Sequence, residues 1–552
     1  MDKTVELRTL DDEIFHQRRN NGSVGDEKYT DFDCDKYELA RAGKRSQLKR
    51  RFGLVSMTGL SCGLMCTWES LLVLFMIGLS NGGPAGIIYG FIFVWLGNLS
   101  VFIAVGELSS AIPTAGGQYH WVSLLAPRSS KKFFSYITGW LTVIGWVAAL
   151  TAVCGFVSDL TLALVVDNHV DFHRSGWHGT LLLWASLLLC VVINIFISGA
   201  LPSIEVVVLI IHILGFFGIL IPLVYLSPTH NSVKTVFTAF NNRNGWDSKG
   251  LVFFIGLQGS ALAFVGTDSA VHMSEEVKNA SRDVPRSMII SLIINGFLAL
   301  GMLLAVLFSA AGIDDPEKVW DPVAFIQVFT EAVGSNAGGA VMTSIVIVLE
   351  FCSALGCLAA ASRMMWSFAR DRGLPFSRFI SMIHPRTTIP VVAILLVTLS
   401  SALLGLINIG SNAAFNGIVS MVLQGFYISY ILALALFLWR RLRGDIHEPR
   451  SNMMTSFHSD PTDVDAEVEI SWGPWRLKGA LGVANNVFAC SYLLILGFIS
   501  FWPTAPSVQG GKTMNWAVLV VGSVVLFSIG YYVIYAKKSY KGPIVEVDLH
   551  TL

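Results

Sequence analysis

The sequence predicts an all-α polytopic membrane protein of about twelve transmembrane helices, built as a five-plus-five inverted repeat with two helices appended. Composition is the first reason. Of 552 residues, 53% are hydrophobic and 14% charged, against roughly 25% charged in soluble domains. That much apolar surface cannot be hidden in one aqueous core. The second reason is that apolar stretches of roughly 20 residues, the length that crosses a hydrocarbon core, recur along the chain. The third is that Lys and Arg alternate between rich and poor loops.

In chain order the stretches run near 52–79, 84–106, 133–164, 179–199, 203–226, 251–272, 287–311, 338–368, 389–408, 412–438, 480–502 and 514–536. The third and eighth are long enough to tilt or to extend beyond the bilayer. Leu201-Pro202 divides one apolar run into the fourth and fifth helices. Basic loop residues, from Lys44 and Arg45 through Arg370, Arg440 and Lys541, outnumber those of the opposite loops roughly four to one. Both termini are therefore expected on the cytoplasmic side. Residues 1–50 form a polar N-terminal tail without a signal-peptide h-region, 51–540 the transmembrane domain with a cytoplasmic loop at 440–478, and 541–552 a short C-terminal tail. Residues 1–50 and 444–470 read as disordered. The expected location is the plasma membrane, with a vacuolar or other internal membrane as the alternative.

Formal net charge is zero, which gives no reason to expect a nucleic-acid partner. Cysteines such as Cys62, Cys66, Cys154, Cys190, Cys352, Cys357 and Cys490 sit in apolar runs without CxxC or metal-ligand spacing, so they read as packed hydrophobes and no metal is expected. No P-loop, HExxH, GxSxG or paired-carboxylate motif occurs in a polar segment, which argues against an enzyme.

In many transporters the site lies where two helices in corresponding halves are interrupted. Two stretches are rich in small and hydroxyl residues. The first span carries Ser56, Thr58, Gly59, Ser61 and Gly63; the sixth carries Phe264, Gly266, Thr267 and Asp268. Both are candidate substrate-binding breaks. Equally, Gly59 and Gly63 can form a close-packed GxxxG helix seam without a break. A carboxylate at membrane depth costs a few kcal/mol, so Asp268 calls for a cavity or a partner. It can receive a substrate ammonium or carry a proton; a structural ion pair or a helix cap is the alternative. His212, on an otherwise apolar fifth helix, can titrate near neutral pH or simply pack. Glu275, near the end of the sixth helix, fits a gate or a solvated helix end. Glu205 and Arg363 are expected to pair. Trp68, Trp140, Trp146 and Phe264 could cover a cationic amine.

The stretch Glu107-Leu108-Ser109-Ser110-Ala111-Ile112-Pro113-Thr114-Ala115-Gly116-Gly117-Gln118-Tyr119 resembles the loop after the second helix in the amino acid–polyamine–organocation transporter superfamily. Ala263 to Asp268, with Glu275-Glu276-Val277-Lys278-Asn279-Ala280 and Pro285 following, is similar to that superfamily's sixth-helix pattern. Val271 to Glu276, Ser362-Arg363, Phe368 to Pro375 and His384-Pro385-Arg386 resemble the fungal amino acid/choline branch, which includes GABA and choline permeases. The resemblance covers roughly residues 50–540. It implies a LeuT-like fold with the first and sixth helices unwound at the centre. Substrate carboxylate would meet first-helix amides near Ser56 to Gly63, and the amine would meet Phe264 to Asp268. Where many relatives carry Glu, this chain has Asp268, one methylene shorter.

The function expected is alternating-access transport of an amino acid or related amine such as GABA or choline. No cofactor is expected; the coupling ion is taken to be a proton, with sodium as the alternative and Ser353 as a hydroxyl that could ligate it. Asp268, His212 and Glu275 are the candidates for coupling or gating. Export of a specialised nitrogen compound is an alternative in the same class. A non-transporting nutrient sensor is an alternative in another.

Overall fold

The computed structural model describes residues 31–169, 171–313, 315, 323–410, 412–448, 470–506 and 514–546. Among them, ten helices are long and apolar enough to cross a membrane. These are, in order, the second to fifth and seventh to twelfth of the stretches expected above. The other two, 52–79 and 251–272, fold instead as chains of short helices.

The elements used below are α1 (Asp31–Arg41), α2 (Leu54–Met65), α3 (Thr67–Val73), α4 (Phe75–Ser80), α5 (Gly83–Ala111), α6 (Gln118–Leu125), α7 (Lys131–Asn168), α8 (Gly176–Phe196) and α9 (Leu201–Leu226). They continue with α10 (Lys249–Leu262), α11 (Ser269–His272), α12 (Ala280–Ser309), α13 (Asn336–Arg370), α14 (Val391–Gly405), α15 (Asn412–Arg443), α16 (Gly479–Ile499) and α17 (Ala517–Tyr531). Among the described residues the only strand pairing longer than a single bridge is a parallel contact of Ile446-His447 with Ile470-Ser471, which closes the base of the 440–478 loop.

Two packed groups organise the helices. One sets α7, α8, α13 and α14 against each other; the other sets α5 against α12, with α2 between α9 and α12. The outward surfaces are apolar: Phe196, Leu214, Ile221, Leu519 and Leu526 are each more than 60% exposed. In water such a surface would aggregate; in lipid it is the solvated face. The seven cysteines named above are all unbridged.

The α2–α9 contact decides between the two readings of Gly59 and Gly63. A Cβ at Gly59 would stand 2.4 Å from the Glu205 carbonyl oxygen, and one at Gly63 2.5 Å from Val208 Cγ1. The two glycines form a seam on which α9 lies, and α2 runs unbroken through them from Leu54 to Met65. Close backbone approach through small residues is how helices associate where no hydrophobic effect drives them together.

The N-terminal tail is not without structure. Residues 31–41 are helical, and the Asp35 carboxylate accepts from the backbone N–H groups of Asn279 (3.0 Å) and Ala280 (3.2 Å) at the start of α12. Ser281 donates to Glu38 (2.8 Å). Residues 1–30, 449–469 and 547–552 lie outside the described residues.

Replacing Gly59 with Ala forces α2 and α9 apart, because the obstructing atom is backbone. We expect Gly59→Ala to destabilise the detergent-solubilised protein by about 1–3 kcal/mol, read as a lowered Tm. Gly53→Ala, where a Cβ meets nothing within 4 Å, should leave Tm unchanged.

Candidate functional site

The first interruption lies C-terminal to where small residues had suggested it. α2 ends at Met65, Cys66 adopts a left-handed conformation (φ 46°), and α3 begins at Thr67. Backbone groups freed there need partners, since hydrocarbon offers none. Asn295 of α12 supplies one: its Oδ1 accepts from the Thr67 N–H (3.3 Å), while its Nδ2 faces the Cys62 carbonyl (3.5 Å), which also accepts from the Cys66 N–H (3.0 Å). Ser353 of α13 donates to the Leu64 carbonyl (2.5 Å). Fully buried Asn295 thus spans both sides of the break.

The second interruption is the turn at 263–268 between α10 and α11. Gly266 sits at φ +95°, a conformation that costs glycine little and side-chain-bearing residues much. The two breaks touch. A Cβ on Gly266 would stand 2.1 Å from Leu64 Cδ2, and the Thr267 hydroxyl reaches both Met65 Sδ (3.0 Å) and the Phe264 carbonyl (3.0 Å).

A small, partly open cavity of ≈ 40 Å³ lies at this crossing. Leu64, Met65, Ser70 and Leu74 wall it from the first segment and Leu262, Val265 and Gly266 from the second. Trp146, Ala149 and Phe156 of α7, Ser353 and Cys357 of α13, and Val422 of α15 complete it. The lining is mostly apolar. Trp146 is fully buried, and its Nε1 makes no hydrogen bond among the described residues.

Of the residues singled out from sequence, Gly266, Trp146 and Ser353 line this cavity, and Gly266 alone of the substrate-binding and coupling candidates does so. Ser56 bonds its own helix start at Gly53, and Thr58 and Ser61 are buried within α2 rather than at its break. Phe264 packs on Phe91, ring centroids 5.4 Å apart. Asp268 is fully buried and accepts from Gln118 Nε2 (2.7 Å), with His272 Nε2 at 3.3 Å; its other oxygen makes no hydrogen bond among the described residues. His272 in turn contacts the Ala115 carbonyl (2.9 Å), and Gly117, at φ +53°, leaves no room for a Cβ beside Val271 and His272. The loop 112–118 and the segment 268–272 are therefore one interlocked unit. Asp268 is its anchor, so the structural alternative fits its surroundings. It does not cap α11: no side-chain cap bond is made.

Glu275 and Glu276 belong to a charged latch on the face where the two termini meet. Arg370 reaches Glu275 (3.0 Å), Glu546 and the Arg45 carbonyl; Arg363 reaches Glu276 (2.8 Å), not Glu205. Lys44 pairs with Asp371, which also accepts from Tyr119 (2.8 Å) and the Ile544 N–H (2.8 Å). Burial would push the Glu546 carboxyl up, but Arg370, the Arg45 N–H and Lys44 hold it below its ordinary value. His212 is not a simple packing residue: its Nδ1 lies 2.7 Å from Glu69 Oε1, with both side chains fully buried. Sequence reasoning assigned no role to Glu69, Asn295, Gln118 or Ser70. Each is one polar residue in an apolar helix or loop, and its partner is distant in sequence.

Ten lipid-length helices around two interrupted segments that cross at a cavity define a polytopic membrane protein of the transporter type. The family model for amino acid permease matches residues 52–525, and the chain belongs to that family, whose members are transporters and not enzymes. It is 31% identical over 461 residues to a Macrophomina phaseolina protein assigned as an amino acid/polyamine transporter, covering 83% of this chain and 96% of that one. It is 28% identical over 510 residues to the choline transporter of Saccharomyces cerevisiae, covering 92% and 85% of the two chains. It is 26% identical over 522 residues to that organism's GABA-specific permease, covering 92% and 86%.

Asn295 carries the first break. Asn295→Leu should leave the Thr67 N–H unpaired and lower stability by about 1–3 kcal/mol, seen as a drop in Tm; Asn295→Asp, which keeps the acceptor, should lose less.

Proposed function

We propose that this protein is a secondary active permease for an amino acid or a related small amine such as GABA or choline, proton-coupled and working by alternating access. The observation that carries the reading is the contact of the two interrupted segments at one cavity, with the Gly266 backbone in its wall. Irregular backbone within a membrane is tolerated where it borders a protein-enclosed space, and there its free amides and carbonyls can bind charged ends of a substrate. Both interrupted segments then also span, giving twelve spans. The interruptions fall five spans apart, and the second pairs with the seventh, as the third does with the eighth, in keeping with a five-plus-five inverted repeat.

The apolar, Trp-containing wall suits a small zwitterion or a methylated ammonium whose charges are met by backbone dipoles and by the Trp146 face. That wall holds no carboxylate, so an ammonium need not pair with Asp268. Names of relatives, a choline transporter and a GABA-specific permease, fall inside this class. Without a nucleotide site, net movement draws on an ion or substrate gradient. The reading includes both termini in the cytoplasm and the plasma membrane as the location, supported by the excess of Lys and Arg on the termini side.

Radiolabelled uptake in a permease-deficient yeast, across amino acids, GABA, choline and ethanolamine at two pH values, tests this. We expect saturable uptake of at least one compound, stronger at the lower pH. Gly266→Leu, whose side chain cannot fit beside Leu64, should reduce that uptake at least about tenfold while the protein still reaches the membrane. Normal kinetics in that variant would remove the crossing from the substrate path.

A further inference from the structure

Behind the cavity wall lies a second polar site. Glu69 of α3, His212 of α9 and Glu350 of α13 are each fully buried. His212 Nδ1 and Glu69 Oε1 are 2.7 Å apart, and Ser70, the residue after Glu69, donates to Glu350 Oε1 at 2.9 Å. Glu69 Oε2, Glu350 Oε2 and His212 Nε2 make no hydrogen bond among the described residues. The titratable groups facing this set are Cys62 and Cys66 from the first segment, Cys352 from α13, and Glu205, two turns before His212 on α9. α12 contributes the neutral amide of Asn295. Among the described residues no Lys or Arg pairs with any of these carboxylates.

Charge arithmetic then constrains the site. With both carboxylates ionised and His212 protonated, the three groups carry one net negative charge, and an ionised Glu205 adds another. An uncompensated charge sealed at this depth is strongly unfavourable. One further proton, on a carboxylate, neutralises the triad. Sodium fits less well: a hard cation prefers an all-oxygen shell, and here an imidazole occupies the side of Glu69.

We propose that Glu69, His212 and Glu350 form the binding site for the coupling proton, and that Ser70 transmits its occupancy to the cavity. This inference rests on the permease reading above and assigns the coupling to these residues instead of Asp268. The link follows from the hydroxyl's single donor. While Glu350 is ionised, the Ser70 O–H points at it. When a proton binds Glu350 on Oε1, the oxygen facing Ser70, that O–H becomes the donor, Ser70 accepts, and the Ser70 O–H is released toward the cavity it lines. A substrate acceptor such as a carboxylate then gains a hydrogen bond only in the protonated state. By linkage, substrate binding favours proton binding to the same extent.

Two measurements test this on the full-length protein in lipid. Infrared difference spectra between about pH 5 and about pH 9 should show a protonated-carboxyl C=O band that disappears in Glu350→Gln or shifts in His212→Gln. Absence of any pH-dependent carboxyl band in the wild-type protein, or a band unchanged in both variants, overturns the proposal. Uptake of the compound identified in the yeast panel should show a half-saturation concentration rising about tenfold per pH unit on the alkaline limb. Glu350→Gln, which mimics the protonated carboxyl, should flatten that rise to less than about twofold, while Glu350→Asp should shift it along the pH axis. Active variants that all keep the wild-type pH profile would make the triad structural and leave the permease reading standing. A titrating band in a protein that takes up none of the compounds would keep the proton site and defeat the permease reading.

Discussion

The structure depends on one constraint: backbone polar groups freed inside a membrane must be met by the protein itself. Two of the twelve apolar segments break their helices; the first break is held by side chains from other helices, the second by its own residues. Asn295 and Ser353 hold the first; Thr267 and the left-handed freedom of Gly266 hold the second. Leu64, Met65, Gly266 and Thr267 press the two breaks against each other. The cavity follows from this, because unwound segments cannot fill the space that continuous helices would.

Charge is distributed accordingly. Where residues 44–45 meet residues 544–546, Lys44 pairs with Asp371 and Arg370 with both Glu275 and Glu546, and nearby Arg363 pairs with Glu276, tying the end of the sixth segment and the end of α13 to both described tail segments. Asp268, Glu69 and Glu350 have no Lys or Arg partner among the described residues. Asp268 takes an amide and an imidazole, Glu69 an imidazole, and Glu350 a hydroxyl. Fixed pairs suit a closure that forms and breaks as a unit. Acids without cations suit sites where a proton comes and goes.

The fold was readable because its driver is compositional: runs of apolar residues and the side on which Lys and Arg collect. The sixth-segment break was readable at Gly266. The first was misplaced, since small residues mark close backbone approach as well as breaks, and Gly59 and Gly63 serve the α9 seam. The actual break carries no glycine; Cys66 adopts the left-handed conformation, and nothing local announces it. Asp268 was rightly expected to need a partner, but Gln118 is 150 positions away. His212 stood out alone, but its partner Glu69, 143 positions away, did not.

The most direct test of the crossing is an experimental structure of the protein in lipid nanodiscs with a transported compound bound. The account predicts two interrupted segments, at Cys66 and at 263–268, with ligand density against Met65, Gly266 and Trp146. Continuous helices through both segments, or ligand bound away from their contact, would contradict it.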